Sequence, residues 1–324
     1  MIFEFISSSY STYITLSGII FSVILSFFLL SLAPKILPAD HGRAFSVDGS
    51  QSKGKPTGAG LLFIPAFCLS SLLFVPFRLE FLIYYIVFLF EMMVGFLDDR
   101  APVPWSEYKK GLLDAVISVA TAYTFVLFHS TEVFLPILGI SFTIPAPLFI
   151  ILASILVWAS INVTNITDGV DGLSSSLVII SILFILLYTF FVTKADSIWN
   201  YSYPLLVGVL FPYLWFNRYP SRLLMGDGGS RPLGVFLAIS VLFSKNPFCY
   251  LIFCLIIILD GGASIFKLSV MRFLKISVLK NIRTPLHDHM RKNKDWSIPQ
   301  VTIRYNILHF TICTLFFLLS YFLA

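Results

Sequence analysis

The chain has 324 residues, of which 57% are hydrophobic and 12% charged, with a mean hydropathy of +0.89 and a formal net charge of +5. No soluble domain of this size can cover that much apolar surface, so the composition excludes a soluble protein and points to a polytopic membrane protein. The apolar runs are continuous rather than alternating, which excludes a membrane barrel and leaves an all-α bundle read as one domain, 1–324.

The first thirty residues hold no Lys or Arg. A cleavable signal needs a basic start, so this segment is expected to be a retained first helix. Runs of roughly 17 to 22 apolar residues then follow, each long enough to span a bilayer as helix. About ten spans are expected, near 13–33, 59–77, 81–97, 111–128, 147–163, 173–192, 202–218, 232–244, 247–268 and 302–323. Alternate loops sort by charge. One side carries all but three of the 22 basic residues, the exceptions being Arg78, Lys194 and Lys245. The positive-inside rule makes the basic side cytoplasmic and puts both termini outside. On the outer side, residues 133–144 with Pro136 and Gly139 suit a small periplasmic β-hairpin. Cys68, Cys249, Cys254 and Cys313 are scattered in apolar segments without a Cys-x-x-Cys pair, which argues against disulfide or metal roles. The basic loops suit anionic lipid headgroups and an anionic substrate; no aromatic-basic module for nucleic acid is visible.

Five stretches on the cytoplasmic side carry chemistry. Lys53-Gly-Lys55-Pro-Thr57-Gly-Ala-Gly60 precedes the second span. Its Gly and Pro permit a tight backbone and its Lys residues can meet phosphate, but the spacing is not a Walker A loop. Gly95-Phe-Leu-Asp98-Asp99-Arg100 ends the third span. Adjacent carboxylates there repel, and the helix macrodipole disfavours them, so a bound cation or metal-bound phosphate is expected to relieve them. Asn162-Val-Thr-Asn165-Ile-Thr-Asp168-Gly169-Val-Asp171-Gly172-Leu173 lies between two uncharged apolar runs. Hydrocarbon offers such groups no partners, so this knot belongs at a membrane surface or in a protected cavity. Its carboxylate, amide and hydroxyl oxygens suit magnesium, sugar hydroxyls or the amide edge of a base. Asn217 and Met225-Gly-Asp227-Gly-Gly-Ser230 form the fourth stretch, where three Gly let a ligand come close to Asp227. Pro285-Leu-His287-Asp288-His289 forms the fifth. Its His residues are open as metal ligands, phosphate donors or proton carriers, with Asp288 expected to orient a neighbouring imidazole by accepting its N–H. Zinc is disfavoured, since no third soft ligand sits nearby.

In order, these stretches resemble the polyprenyl-phosphate N-acetylhexosamine-1-phosphate transferase superfamily over nearly the whole chain. The tail, Pro285-Leu-His-Asp-His and then Trp296 to Arg304, resembles its phospho-N-acetylmuramoyl-pentapeptide transferase branch. There are departures. Asp288 replaces the middle of three usual His, Lys55 stands where the family has Thr-Pro-Thr, and 100–108 is unusually Pro-rich.

The resemblance implies a transfer in the bacterial plasma (inner) membrane for peptidoglycan synthesis. UDP-MurNAc-pentapeptide enters from the cytoplasm, undecaprenyl phosphate attacks its β-phosphate, UMP leaves and lipid I remains. Both reactants are polyanions, so Mg²⁺ and Lys are expected to neutralise them. The implied catalytic residues are Asp98, Asp99 and Asp227, with Asp227 and Asp168 on the metal. The implied substrate contacts are Lys53, Lys55, Thr57, Asn162, Asn165, Asp168, Gly169, Asp171, Asn217, Ser230, His287 and His289. A uridine pocket is expected from 162–172 with Asn217. Membrane lipids are the surroundings, and a homodimer is compatible with the sequence. Two alternatives stand beside this reading. One is a sister transferase using UDP-N-acetylglucosamine or a related UDP-sugar, against which the Trp296–Arg304 tail argues. The other is an ion-coupled transporter using the intramembrane acids Glu91, Asp114 and Asp260.

Overall fold

The structure, a computed structural model, describes residues 11–40, 42, 52–101, 103, 105–195 and 197–323. Arg43, one of the basic loop residues, and both chain ends lie outside the described residues.

Helices build nearly everything. They are α1 (Ser11–Ser31), α2 (Gly60–Phe74), α3 (Leu79–Arg100), α4 (Glu107–Phe128), α5 (Ala146–Thr167) and α6 (Leu173–Tyr188). Then come α7 (Ser202–Asn217), α8 (Asp227–Phe243), α9 (Leu255–Ser269), α10 (Leu286–Asn293) and α11 (Ile298–Leu323). The expected hairpin is present as β1 (Glu132–Leu135) and β2 (Ile140–Thr143), antiparallel with Glu132 opposite Thr143 and Leu135 opposite Ile140. Gly139 turns it at φ 63°, where a residue with a Cβ would be strained. Phe134 N–H donates to the Lys245 carbonyl at 2.9 Å, which ties the hairpin to the end of α8.

Local sequence explains several boundaries. Ser106 caps α4, its Oγ accepting the Lys109 N–H at 3.3 Å. Pro145 precedes α5 and fixes the entry of its backbone.

Six helices are long and apolar enough to cross a membrane: Thr12–Ser31, Leu79–Arg100, Glu107–Phe128, Ala146–Thr167, Leu173–Thr193 and Ile298–Leu323. A seventh crossing results if Pro247–Phe253 and Leu255–Leu274, bent by 88°, are one span. The other expected spans fall on shorter helices of 15 to 17 residues, α2, α7 and α8. Each contains an internal proline, Pro65, Pro212 or Pro232, and each lies largely inside the protein. Inward helices do not need to match the hydrocarbon thickness on their own.

Helix α8 is the axis of the molecule. From Gly228 to Phe243 every residue is buried, and its principal neighbours are α5 and α3. Ser160 of α5 donates to the Gly234 carbonyl at 2.6 Å, a small-residue contact of the kind that joins helices in lipid. The outer helices α1 and α11 instead expose large apolar side chains such as Ile20, Ile24, Ile307 and Phe322. Those suit hydrocarbon and explain the high mean hydropathy.

Candidate active site

All five stretches converge at one end of α8. Residues 56–60 run beside 224–226: Leu224 N–H donates to the Pro56 carbonyl at 2.9 Å and Ala59 N–H to the Leu224 carbonyl at 3.1 Å. Gly60 and Gly95 then press on the first turn of α8. A Cβ at Gly60 would overlap the Gly228 backbone, and one at Gly95 would overlap that of Asp227. The glycines in the first two stretches therefore bring α2 and α3 against α8 and hold Asp227 in place.

The carboxylate pair is divided between two protein partners. Asp98 forms an ion pair with Lys110 and accepts the Trp105 N–H at 2.8 Å. Asp99 accepts the Gly228 N–H at 3.4 Å and so caps α8 from another helix. Lys110 and the helix N-terminus relieve the repulsion that the sequence suggested a bound cation would relieve. Lys109 instead lies over the Trp105 ring, 3.2 Å from its centroid.

Asp227 sits on the first turn of α8, partly exposed, with Oδ2 3.3 Å from Arg231 Nε. The other end of that guanidinium is buried between two acids, 2.6 Å from Asp114 Oδ1 and 3.5 Å from Glu91 Oε1. Asn162 Nδ2 donates to Asp114 Oδ2 at 3.2 Å. A continuous polar chain thus joins α3, α4, α5 and α8 behind Asp227. Two of the acids that a transporter would use as an ion path are committed to Arg231.

The third is committed as well. Asp260 Oδ2 lies 2.7 Å from His287 Nδ1, and Asp260 Oδ1 accepts the His287 backbone N–H at 2.7 Å. One carboxylate therefore caps α10 and orients the imidazole. Burial works against a charged His287, but the Asp260 carboxylate more than offsets it, and the ring's pKa is raised above its ordinary value. With Nδ1 turned to Asp260, Nε2 faces Gly169, where a Cβ would overlap it. The expected orienting role of Asp288 is corrected by this geometry. Its Oδ1 is 3.9 Å from His287 Nε2, too far for a hydrogen bond, whereas Asp260 is in contact. Asp288 Oδ1 is buried without a hydrogen-bond partner. His289 is turned elsewhere, with Nδ1 accepting the Arg283 N–H at 3.2 Å.

The loop 168–172 is braced from below. Asn217 Oδ1 accepts the Gly172 N–H at 2.9 Å, and its Nδ2 donates to the Leu223 carbonyl at 2.8 Å. Asp171 Oδ2 accepts the Ser221 N–H at 3.0 Å, and Lys55 Nζ reaches Ser221 Oγ at 2.9 Å. Thr302 of α11 holds the Asp171 carbonyl at 3.0 Å. Asn217 thus spends both ends of its amide on the fold. Ser230 does likewise: it is fully buried and donates to the Gly226 carbonyl at 3.1 Å. Thr57 is buried, Lys53 is exposed, and Asn165 and Asp168 are partly exposed at the end of α5.

Among the described residues, no group of three His, Cys, Asp or Glu forms a candidate metal centre. A magnesium ion held by one or two carboxylates, with substrate phosphate completing the shell, does not need such a group. Asp227 fits, having oxygen donors, partial exposure and Oδ1 outside the bond to Arg231. Three residues that the structure ties into this cluster were not among the candidate site residues: Lys110, Arg231 and Asp260. The spacing of four between Asp227 and Arg231 is the signal that points to the second.

The model of glycosyl transferase family 4 matches residues 81–245. A phospho-N-acetylmuramoyl-pentapeptide-transferase of Treponema pallidum (strain Nichols) is 39% identical over 301 residues, 86% of this chain and 82% of that protein. Its counterpart in Borrelia garinii subsp. bavariensis is 31% identical over 289 residues, 80% of each chain. That of Clostridium acetobutylicum is 28% identical over 320 residues, 93% of this chain and 98% of the relative.

Proposed function

The chain belongs to glycosyl transferase family 4, among the phospho-N-acetylmuramoyl-pentapeptide-transferases, and we propose that it makes lipid I from UDP-MurNAc-pentapeptide and undecaprenyl phosphate. The observation that carries this reading is the gathering of Asp98, Asp99, Asp227, the 168–172 loop and His287 at one end of the bundle. An oxygen of the lipid phosphate forms a bond to the β-phosphorus. The bridging oxygen leaves with its electron pair as part of UMP.

A phosphate monoester has a second pKa near 6, so the nucleophile is mostly ionised at neutral pH and needs positioning more than deprotonation. Asp98 is engaged by Lys110, and Asp99 by α8, so their work is to fix the cationic Lys110 and the first turn of α8 where the phosphates meet. Asp227, with Asp168 as a further carboxylate, would hold Mg²⁺, which supplies charge neutralisation on the diphosphate. His287, protonated more readily because of Asp260, presents Nε2 as a donor to phosphate or sugar oxygen. Asn165, Asp168 and the backbone at Gly169 form the side of the pocket for uridine, and Asp171 and Asn217 keep that loop in shape.

The proposed topology has ten crossings, with α2, α7, α8 and the bent pair completing the six long helices. The site faces the cytoplasm and both ends lie outside. It is supported by the charge sorting and by the meeting of site residues from alternate helix ends.

Incubating the purified protein with UDP-MurNAc-pentapeptide, undecaprenyl phosphate and Mg²⁺ should release UMP. Release that proceeds with UDP-N-acetylglucosamine instead would favour the sister transferase, and none with either would reject the reading. Asp227→Asn should retain its melting temperature, lose UMP release, and lose the thermal shift that Mg²⁺ with UDP gives the unaltered protein. An unchanged shift moves the metal elsewhere.

A further inference from the structure

Helix α8 carries two charges, Asp227 in its first turn and Arg231 one turn further in, and none from there to Phe243. Arg231 is 3% exposed and is surrounded by three carboxyl groups, those of Glu91, Asp114 and Asp227. Glu91 and Asp114 are themselves fully buried. Stability does not explain such a cluster, because a buried ion pair is often no more stabilising than apolar side chains of the same volume. Charge balance does not explain it either. One guanidinium faces three acids, and both Glu91 carboxylate oxygens are buried without a hydrogen bond.

What the cluster supplies is a guanidinium that does not turn. Helical side chains lean toward the N-terminus, so a residue four positions on reaches back to Asp227. Its far end is held by Asp114 Oδ1, 2.6 Å from Nη1, with Glu91 Oε1 at 3.5 Å. Asp114 is fixed in turn from α5, where Asn162 Nδ2 donates to its Oδ2 at 3.2 Å and to the Trp158 carbonyl at 2.9 Å. The guanidinium is planar, so holding Nη1 also sets the direction of the Nε–H. That N–H is aimed at Asp227 Oδ2, 3.3 Å away.

One oxygen of Asp227 is thereby engaged from inside the protein, while Oδ1 lies outside the bond. The carboxylate offers a ligand one oxygen and is restrained from swinging to offer two. That difference separates divalent cations. Magnesium takes a strict octahedral shell and is held through one or two carboxylates with waters and phosphate oxygens. Calcium gathers roughly six to eight oxygens and readily takes both from one carboxylate.

We propose that Arg231 is a positioning residue that makes Asp227 a one-oxygen ligand and so selects magnesium over calcium, with Asp114 and Glu91 as its anchors. The proposal rests on the reading that Asp227 holds the metal. It is tested on the full-length protein in detergent at fixed UDP, by titrating free Mg²⁺ and free Ca²⁺ and reading the midpoint of the thermal shift for each. The unaltered protein should respond to Mg²⁺ at the lower concentration. Arg231→Lys keeps a cation beside Glu91 and Asp114 but lacks the planar fork. Its Mg²⁺-over-Ca²⁺ preference should fall by roughly ten-fold, the scale of one hydrogen bond to a charged group. A merely structural role would weaken both metals alike. Should Arg231→Lys fail to fold, Asp114→Asn carries the test. It has the same shape, removes the charge that anchors Nη1, and should move the preference the same way. An unchanged preference in the variant that folds, equal weakening of both metals, or no preference for Mg²⁺ in the unaltered protein overturns the proposal and leaves Asp227 as the metal ligand. A shift that survives Asp227→Asn overturns the metal assignment and this proposal together.

Discussion

Asp260 is the residue whose role differs most from its sequence context. A lone acid in an apolar helix reads as part of an ion path, yet both its oxygens serve His287. Asp260→Asn should leave the imidazole without its counter-charge and reduce UMP release by about ten-fold or more, the scale seen when a positioned acid–base group is lost. The pair also predicts a pH dependence of stability. The native His287 pKa is raised, so the stabilisation is complete below the unfolded value of 6.5 and is lost as pH rises through the higher native value. Melting temperatures of the unaltered protein should therefore fall as pH rises from about 6.5 through the higher native value. The Asp260→Asn protein should show a flatter profile over the same range. Identical profiles would remove Asp260 as the cause.

At the scale of elements, the position of α8 decides the site, and two substitutions separate its contacts. Gly95→Ala places a methyl group against the Asp227 backbone, so the first turn of α8 must move. Stability should fall by about 1–3 kcal/mol, as for other overpacked sites, while UMP release should fall by far more because Asp227 moves with the turn. Denaturation and kinetics on the same preparation check this; equal, small losses in both would show that the turn is not critical. Arg231→Met leaves Glu91 and Asp114 buried without their cation. Breaking a buried pair from one side costs about 3–5 kcal/mol, and the loss should be partly restored by adding Glu91→Leu. No recovery in the double variant would mean that Glu91 is not a partner. Both contacts lie where sequence reading is weakest. The Gly95 and Asp227 motifs were legible as polar breaks in apolar runs, and the sequence grouped them on one side, which agrees with their meeting at one end of α8. Which helix meets which is a matter of three-dimensional packing, so the pairing of Gly95 with Asp227, or of Asp260 with His287 across 27 residues, left no local signature. The expected span 202–218 matches α7 closely, whereas 59–77 runs past the end of α2 at Phe74 and 232–244 misses the first turn of α8, whose Asp227-Gly-Gly-Ser-Arg231 sequence is polar yet helical.

For the whole molecule, the asymmetry of charge is the feature that organises the rest. Basic residues gather on the face that holds the active site, where two polyanionic reactants must meet. The opposite face has short connections and a small hairpin. The proposed topology puts Lys194 outside and Lys280 in the cytoplasm. Both side chains are exposed, and all four native thiols are buried, so an introduced cysteine can be read against a silent background. Lys194→Cys should react in intact cells with a membrane-impermeant maleimide, whereas Lys280→Cys should react only after the membrane is opened. Both proteins should still release UMP, which shows that the labelled molecules are correctly folded. The reverse pattern would invert the orientation and place the active site on the wrong face for a cytoplasmic nucleotide. Labelling of both in intact cells would put the two loops on one side, leaving an even number of crossings between them where the proposed topology has three.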